Sequence, residues 1–172
     1  MIVVIGTGLA GYSLVREFRK LDRSTPVLMV SADDGAAYSK PMLSTAFAKG
    51  KTAAGLVSAE AGAMAEQLGA EIRIHTRVTE LRPQSREILV GSESVAYDRL
   101  VLALGAEPRA PALAGEGAGG VLSVNDLEDY RRLRERLAPG SRVAILGAGL
   151  IGCEFAEDLV GGGMQVEVIA PH

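Results

Sequence analysis

Met1-Ile2-Val3-Val4-Ile5-Gly6-Thr7-Gly8-Leu9-Ala10-Gly11 opens the chain. The apolar run from Ile2 to Ile5 reads as a strand buried on both faces of a parallel sheet. Glycines follow at G-x-G-x-x-G spacing, and a helical pattern follows them. Each glycine has its own physical reason. Gly6 permits the tight turn out of the strand, Gly8 lets backbone approach a pyrophosphate, and Gly11 lets the helix lie close to the strand. The helix N-terminus offers free N–H groups and positive partial charge to phosphates. Leu14, Phe18 and Leu21, at i, i+4 and i+7, are the expected apolar face of that helix. Glycine spacing alone is a weak signal in a chain with 21 glycines. The strand before it and the helix after it give it weight over a plain glycine-rich turn.

The same pattern returns late in the chain. The run from Arg142 to Leu146 leads into Gly147-Ala148-Gly149-Leu150-Ile151-Gly152. Ile151, Phe155 and Leu159 then form the expected apolar face of a second helix. Two glycine-rich turns, each framed by strand and helix, predict two bound dinucleotides.

Composition narrows the class. The 172 residues predict one domain, or one and a fraction, and 48% apolar content supplies a sizeable core. A net charge of −3 argues against a nucleic-acid partner, which requires a basic surface. No apolar run is long enough to span a membrane. The first strand begins at once, so no signal peptide is expected. Cys153 is the single cysteine, which precludes an internal disulfide or a Cys-x-x-Cys pair. Together with two distant histidines it forms no metal-ligand pattern. A reducing cytoplasm is the expected setting.

Between the two turns the chain reads in order. Pro26 to Val30 is the expected second strand. In this fold an acid at its end holds ribose hydroxyls; that position falls near Ala32, and Asp33 is the candidate, with solvated turn residues as the alternative for Asp33 and Asp34. Lys40 precedes Pro41 and is biased to extended backbone. It is either a cation beside a phosphate or reduced flavin, or an ordinary surface lysine. Ala53 to Leu68 is expected to be mostly helical, ending at Gly69. Glu71 to His75 alternates as a strand, with His75 on the sheet surface. The runs 86–90 and 94–97 flank Gly91 and Ser92 as a hairpin. Asp98 to Leu104 is an expected buried strand closed by Gly105. The stretch 107–120 is a Pro-, Ala- and Gly-rich linker. Asn125 or Asp126 caps the next helix, whose apolar stripe is Leu127, Tyr130, Leu133 and Leu137. Its arginines, Arg131, Arg132, Arg134 and Arg136, form either a solvated face or a docking patch for an acidic protein.

Four segments now stand in one order. They are Val4-Ile5-Gly6-Thr7-Gly8-Leu9-Ala10-Gly11; Tyr38-Ser39-Lys40-Pro41-Met42-Leu43-Ser44; Tyr97-Asp98-Arg99-Leu100-Val101-Leu102-Ala103-Leu104-Gly105-Ala106-Glu107-Pro108-Arg109; and Leu146-Gly147-Ala148-Gly149-Leu150-Ile151-Gly152-Cys153-Glu154-Phe155-Ala156. As a set they resemble the FAD-dependent pyridine-nucleotide oxidoreductases, and within them the bacterial rubredoxin–NAD(+) reductases of the Pseudomonas type. The similarity runs the whole length of the chain. It implies an α/β, Rossmann-like fold for FAD and NAD(P): a three-layer parallel sheet with helices plus a β-meander, and a second Rossmann domain cut short. Residues 1–107 would be the N-terminal portion of the FAD domain, and 108–172 the start of the NAD(P) domain.

By this resemblance Gly6, Gly8, Leu9, Ala10 and Gly11 hold the FAD pyrophosphate. Lys40 and Pro41 lie against the FAD, and the backbone of Val78 meets the adenine. Ala103 and Gly105 stand near the flavin. Gly147, Gly149, Ile151 and Gly152 meet the nicotinamide dinucleotide, with Glu154 near the flavin–nicotinamide contact. Electrons would pass from NAD(P)H, with NADH preferred, through FAD to rubredoxin or a similar small iron protein. Alkane oxidation follows as the implied setting. No catalytic acid or base is required and no metal site is implied. The single cysteine rules out a disulfide relay, and Cys153 is either a thiol activated at a helix start or a packed structural one.

Departures from the family pattern are specific. Ala32 stands where many relatives carry the ribose-binding acid. Leu104 replaces the threonine of Ala-Thr-Gly, and Thr45 replaces a lysine. The strand Val166 to Ile169 runs into Ala170-Pro171-His172, again without an acid. The residues after Gly147 leave room for one helix and one strand, so the chain is expected to be the N-terminal part of a longer protein. Two rival readings share these motifs: a ferredoxin reductase of an oxygenase system, and a truncated, non-catalytic nucleotide-binding module.

Overall fold

The computed structural model describes residues 1–109 and 111–170; Pro171 and His172, at the end of the last expected strand, lie outside the described residues. The chain forms two compact units, Met1–Tyr38 with Val57–Ala106, and Ser39–Leu56 with Glu107–His172.

The first unit begins with β1 (Ile2–Ile5), α1 (Leu9–Leu21), β2 (Val27–Val30) and β3 (Ala37–Tyr38). It resumes with β4 (Val57–Ala59), α2 (Ala61–Leu68), β5 (Glu71–Arg73), β6 (Val78–Arg82), β7 (Glu87–Val90), β8 (Glu93–Ala96) and β9 (Arg99–Leu102). β5, β2, β1 and β9 lie in that order in an all-parallel sheet. Ile2 pairs with Val27 on one side and Arg99 on the other. Side chains alternate along these strands. Val4, Val27 and Met29 turn to one face, where Tyr12 and Val15 of α1 and Met64 and Leu68 of α2 cover them. Val3, Ile5, Leu28 and Val30 turn to the other, onto Ile88 and Val95 of the antiparallel meander β6–β7–β8. The unit is therefore three layers: helices, parallel sheet, meander. Continuous apolar runs in β1 and β2 are required because both faces are covered.

The second unit holds a 3₁₀ turn at Lys40–Ser44, another at Ala54–Leu56 and a third at Ala118–Gly120. Its regular elements are α3 (Leu127–Arg136), β10 (Arg142–Leu146), α4 (Leu150–Gly161) and β11 (Gln165–Ile169). β10 and β11 are parallel, with Arg142 opposite Gln165 and Leu146 opposite Ile169. Asp126 caps α3: its carboxylate accepts the Asp129 N–H at 2.8 Å. Tyr130 and Leu133 form the buried part of the α3 stripe.

Several expectations need correction. The buried face of α1 is Gly11, Tyr12 and Val15, while Leu14 and Leu21 are exposed, Leu21 at 89%. Close packing of Gly11 on the glycine turn sets the helix phase, and the leucines fall off that face. Ala53–Leu68 is not mostly helical. Its first half forms a 3₁₀ turn and β4, which pairs with β3, and only Ala61–Leu68 is helix. Pairing to β3 outweighs alanine's helix preference, a local propensity that tertiary context overrides. The Glu71 strand stops at Arg73, and His75 lies beyond it with φ 49°, donating its N–H to the Asp33 carbonyl at 2.7 Å. β9 spans Arg99–Leu102 and is only partly buried, with Leu102 at 55% and Leu104 at 69% exposure. Of the expected α4 face, Leu159 is buried, Phe155 is half-buried and Ile151 is exposed.

Candidate functional site

In the first unit the candidate residues gather at the carboxyl ends of β1, β2 and β9, where open α/β sheets bind ligands. Gly6 leaves β1 at φ +108°, and a Cβ there would stand 2.1 Å from the Ala103 carbonyl oxygen. The Gly6 N–H donates to the Val30 carbonyl at 2.8 Å, and the Ala103 N–H to the Ile5 carbonyl at 2.8 Å. The three strand ends are thus laced together by backbone at the glycine turn. A Cβ on Gly11 would stand 2.1 Å from the Gly6 oxygen, so α1 can approach only as glycine.

Gly8 answers a different constraint. It is the extended N-cap residue of α1, without a side-chain cap, and no atom lies within 4 Å of where its Cβ would stand. The first turn of α1 carries no acidic residue. The result is an open cradle of backbone N–H groups at a positive helix end, which fits a pyrophosphate. Leu9 and Ala10 are exposed on its rim. Gly105 is exposed at φ +71° with open space before it, and Val78 is half-buried at the start of β6.

Asp33 lies exposed beyond the end of β2. Its Oδ1 accepts the Gly35 N–H at 2.9 Å and the Ser31 hydroxyl. Ser31 and Thr7, both buried, share a hydrogen bond of 2.6 Å. A carboxylate only accepts, so Ser31 donates to Asp33 and Thr7 donates to Ser31. This chain of hydroxyls runs from the glycine turn to Asp33 and holds its carboxylate in one orientation. Sequence reading missed Thr7 and Ser31; small hydroxyl residues within two positions of the ends of β1 and β2 were the available signal. Nearby, the Tyr12 hydroxyl donates to the Gly35 carbonyl at 2.5 Å. Burial, and then the charges of Asp33 and Asp34, push that phenol up to about 12.

The second unit carries Lys40, Pro41, Gly147, Gly149, Ile151, Gly152 and Glu154. Its glycine turn repeats the first. Gly147 has φ +109°, a Cβ on Gly152 would stand 2.1 Å from the Gly147 oxygen, and Gly149 has open space where its Cβ would be. Gly149 is an extended N-cap without a side-chain cap, and the first turn of α4 again lacks acids. Ile151 is 66% exposed on α4 beside this cradle. Lys40 and Pro41 are exposed at the head of their 3₁₀ turn. Glu154 accepts the Ser44 hydroxyl at 2.6 Å. One helical turn on, the buried Asp158 accepts the Phe47 and Ala48 N–H groups at 2.7 and 3.0 Å. Sequence reading missed Asp158 and Ser44; the signal for Asp158 was an acid four residues after Glu154, adjacent to the buried Leu159.

The arginines of α3 are largely engaged within the unit. Arg131 pairs with Glu128 and Glu135, and Arg132 with Glu128. Arg134 lies over the Phe47 ring, 4.8 Å from its centroid. Arg136 donates to the Gly120 carbonyl at 2.7 Å. Cys153 is exposed, its Sγ 3.6 Å from the Ala148 carbonyl oxygen. Among the described residues no helix is long and apolar enough to cross a membrane.

Comparison with known proteins supplies a context for this geometry. The family profile described as pyridine nucleotide-disulphide oxidoreductase matches residues 1–171. The rubredoxin-NAD(+) reductase of Alcanivorax borkumensis is 49% identical over 99% of this chain and 44% of its own length. The rubredoxin-NAD(+) reductase of Acinetobacter baylyi is 46% identical over 98% of this chain and 44% of its own. A crystal structure of a ferredoxin reductase from Rhodopseudomonas palustris superposes with a TM-score of 0.85 at 26% identity, covering 97% of this chain and 41% of that one. The chain thus spans less than half the length of these relatives. FAD and nicotinamide dinucleotide as cofactors accord with these matches and with the paired cradles.

Proposed function

This chain belongs to the pyridine nucleotide-disulphide oxidoreductase family, and from that premise we propose that the protein it contributes to passes electrons from NADH through FAD to a small iron protein, rubredoxin in the first instance. The observation that carries this reading is the duplicated glycine cradle, one in each compact unit, each with an open N-cap glycine and a closed packing glycine. The rubredoxin reductase names of the two bacterial relatives support the acceptor. Their naming for NAD(+) supports NADH over NADPH.

In this reading residues 1–107 begin an FAD domain and 108–172 begin an NAD(P) domain. The excursion Ser39–Leu56 belongs to the first by sequence order and to the second by packing. FAD, when bound, takes a hydride from the nicotinamide and releases two electrons one at a time. The chain's own residues bind and orient. Gly6, Gly8, Leu9, Ala10 and Gly11 would cradle the FAD pyrophosphate, and Asp33, held by Ser31, would accept from ribose hydroxyls. Val78, Ala103 and Gly105 would present backbone to the same cofactor. Lys40 and Pro41 would lie along it and offer positive charge. Gly147, Gly149, Ile151 and Gly152 would receive the nicotinamide dinucleotide, with Glu154 held in place by Ser44.

The test is the visible absorption spectrum of the purified chain, before and after FAD and then NADH. Flavin bands that bleach with NADH are the expected result. A folded chain that takes up no flavin in excess FAD overturns FAD binding by this chain. A second reading, ferredoxin as acceptor, is favoured by the similarity to the Rhodopseudomonas palustris reductase. Reduction of rubredoxin and ferredoxin by the longer protein, measured side by side, separates the two.

A further inference from the structure

Asp158 lies outside both glycine turns, yet it is the buried carboxylate among the described residues, 8% exposed. A buried charge persists only where donors compensate it. Here both carboxylate oxygens are used, by the Phe47 N–H at 2.7 Å and the Ala48 N–H at 3.0 Å. One turn earlier on α4, Glu154 accepts the Ser44 hydroxyl at 2.6 Å. The helix end closes on the same stretch. A Cβ on Gly162 would stand 2.5 Å from the Phe47 ring, and one on Gly161 3.2 Å from the Ala48 Cβ. From α3, the buried Tyr130 donates to the Lys51 carbonyl at 2.9 Å, and Arg134 covers the Phe47 ring.

Lys40–Ser44 itself is a short 3₁₀ turn without a side-chain cap, and Lys40 and Pro41 are exposed. A 3₁₀ turn of this length has poor hydrogen-bond geometry of its own. Its place is therefore decided by its anchors: Glu154 on Ser44 within the turn, and those that follow it. Among them Asp158 is the carboxylate that grips backbone amides, so its hold does not depend on the side chains at 47 and 48.

We propose that Asp158 is a positioning residue: by gripping the Phe47 and Ala48 amides it fixes the Lys40–Ala48 stretch on α4, and so sets where Lys40 and Pro41 stand relative to Glu154 and the second glycine turn. The bearing of this on FAD rests on the functional reading above; the grip itself does not.

The experiment compares wild type, Asp158→Ala and Asp158→Asn as full chains, by amide hydrogen exchange and by FAD titration. In Asp158→Ala the Phe47 and Ala48 amides should exchange at least ~10-fold faster, as each loses a bond to a charged acceptor, while β10, β11 and the first unit keep their protection. On the functional reading above, which sets Lys40 and Pro41 along the cofactor, FAD affinity should fall ~10-fold with a shifted flavin band. Asp158→Asn retains one carbonyl oxygen and should restore one of the two amides and part of the affinity. Unchanged exchange at both amides in both variants overturns the proposal. So does protection lost evenly across the second unit in both, which would make Asp158 a general support only. A wild-type chain that binds no FAD counts against the functional reading, and the exchange pattern still decides the grip.

Discussion

Gly8 and Gly11 stand three residues apart and should respond oppositely to the same substitution. Gly11→Ala forces a Cβ to 2.1 Å from the Gly6 oxygen, an overpacking expected to cost ~1–3 kcal/mol or more, read as a lower midpoint in denaturant. Gly8→Ala meets nothing within 4 Å at a backbone φ of −70° that alanine adopts. It should leave the midpoint unchanged and weaken FAD by ~10-fold or more, because backbone approach to the pyrophosphate is lost. Tyr12 carries a pH prediction. Its phenol is pushed up to about 12, first by burial, from ~10 in the unfolded chain. A raised folded value means its contribution to stability is whole below ~10 and is lost as pH rises through about 12. Circular dichroism and tyrosinate absorbance, followed together, should show that loss in wild type and lack this component in Tyr12→Phe. At this scale the turn and packing positions of Gly6 and Gly11 were legible in the sequence, because the spacing is framed by a strand before and a helix after. Thr7, Ser31 and Asp158 were not, because their partners are brought to them only by the sheet and by α4.

The elements were legible where local pattern and tertiary contact agree. β1 and β2 read correctly since strands covered on both faces must be apolar throughout. α3 read correctly because its cap, its stripe and its charge pairs are all local. Asp126→Ala removes the bond to the Asp129 N–H and should lower stability by ~1 kcal/mol, seen as a lower melting temperature, without changing the first unit's exchange protection. The reading failed where a distant element decides. β4 exists because β3 is there to pair with, and nothing within Ala53–Leu68 announces this. The expected face of α1 is out of phase by about one residue, roughly 100°: Phe18 packs on the core, but Leu14 and Leu21 do not, because a glycine sets the contact face. In α4 the acid at Asp158 sits next to the buried Leu159, and an acid in a buried phase is the kind of local inconsistency that marks a specific partner.

Across the whole molecule the chain passes between its compact units at 38–39, at 56–57 and at 106–107. Cutting the exposed stretch 111–117 should therefore leave the two pieces associated. The N-terminal piece keeps Ser39–Leu56, which the C-terminal piece holds through Tyr130, Arg134 and Asp158. A protease site introduced after Gly115, cleaved and run on a sizing column, should give one peak in wild type and a second, smaller species in Asp158→Ala. Such lacing was invisible in a linear reading, which treats residues 39–56 as a passing loop between strands. It also has a meaning for biogenesis. Phe47 leaves the ribosome 111 residues before the carboxylate that receives its amide, a wait of roughly 5–20 s at ordinary rates of synthesis. The parallel sheet of the first unit can be complete while this stretch of the second is still unclaimed, so the nascent chain carries an open apolar turn that a chaperone would have reason to shield.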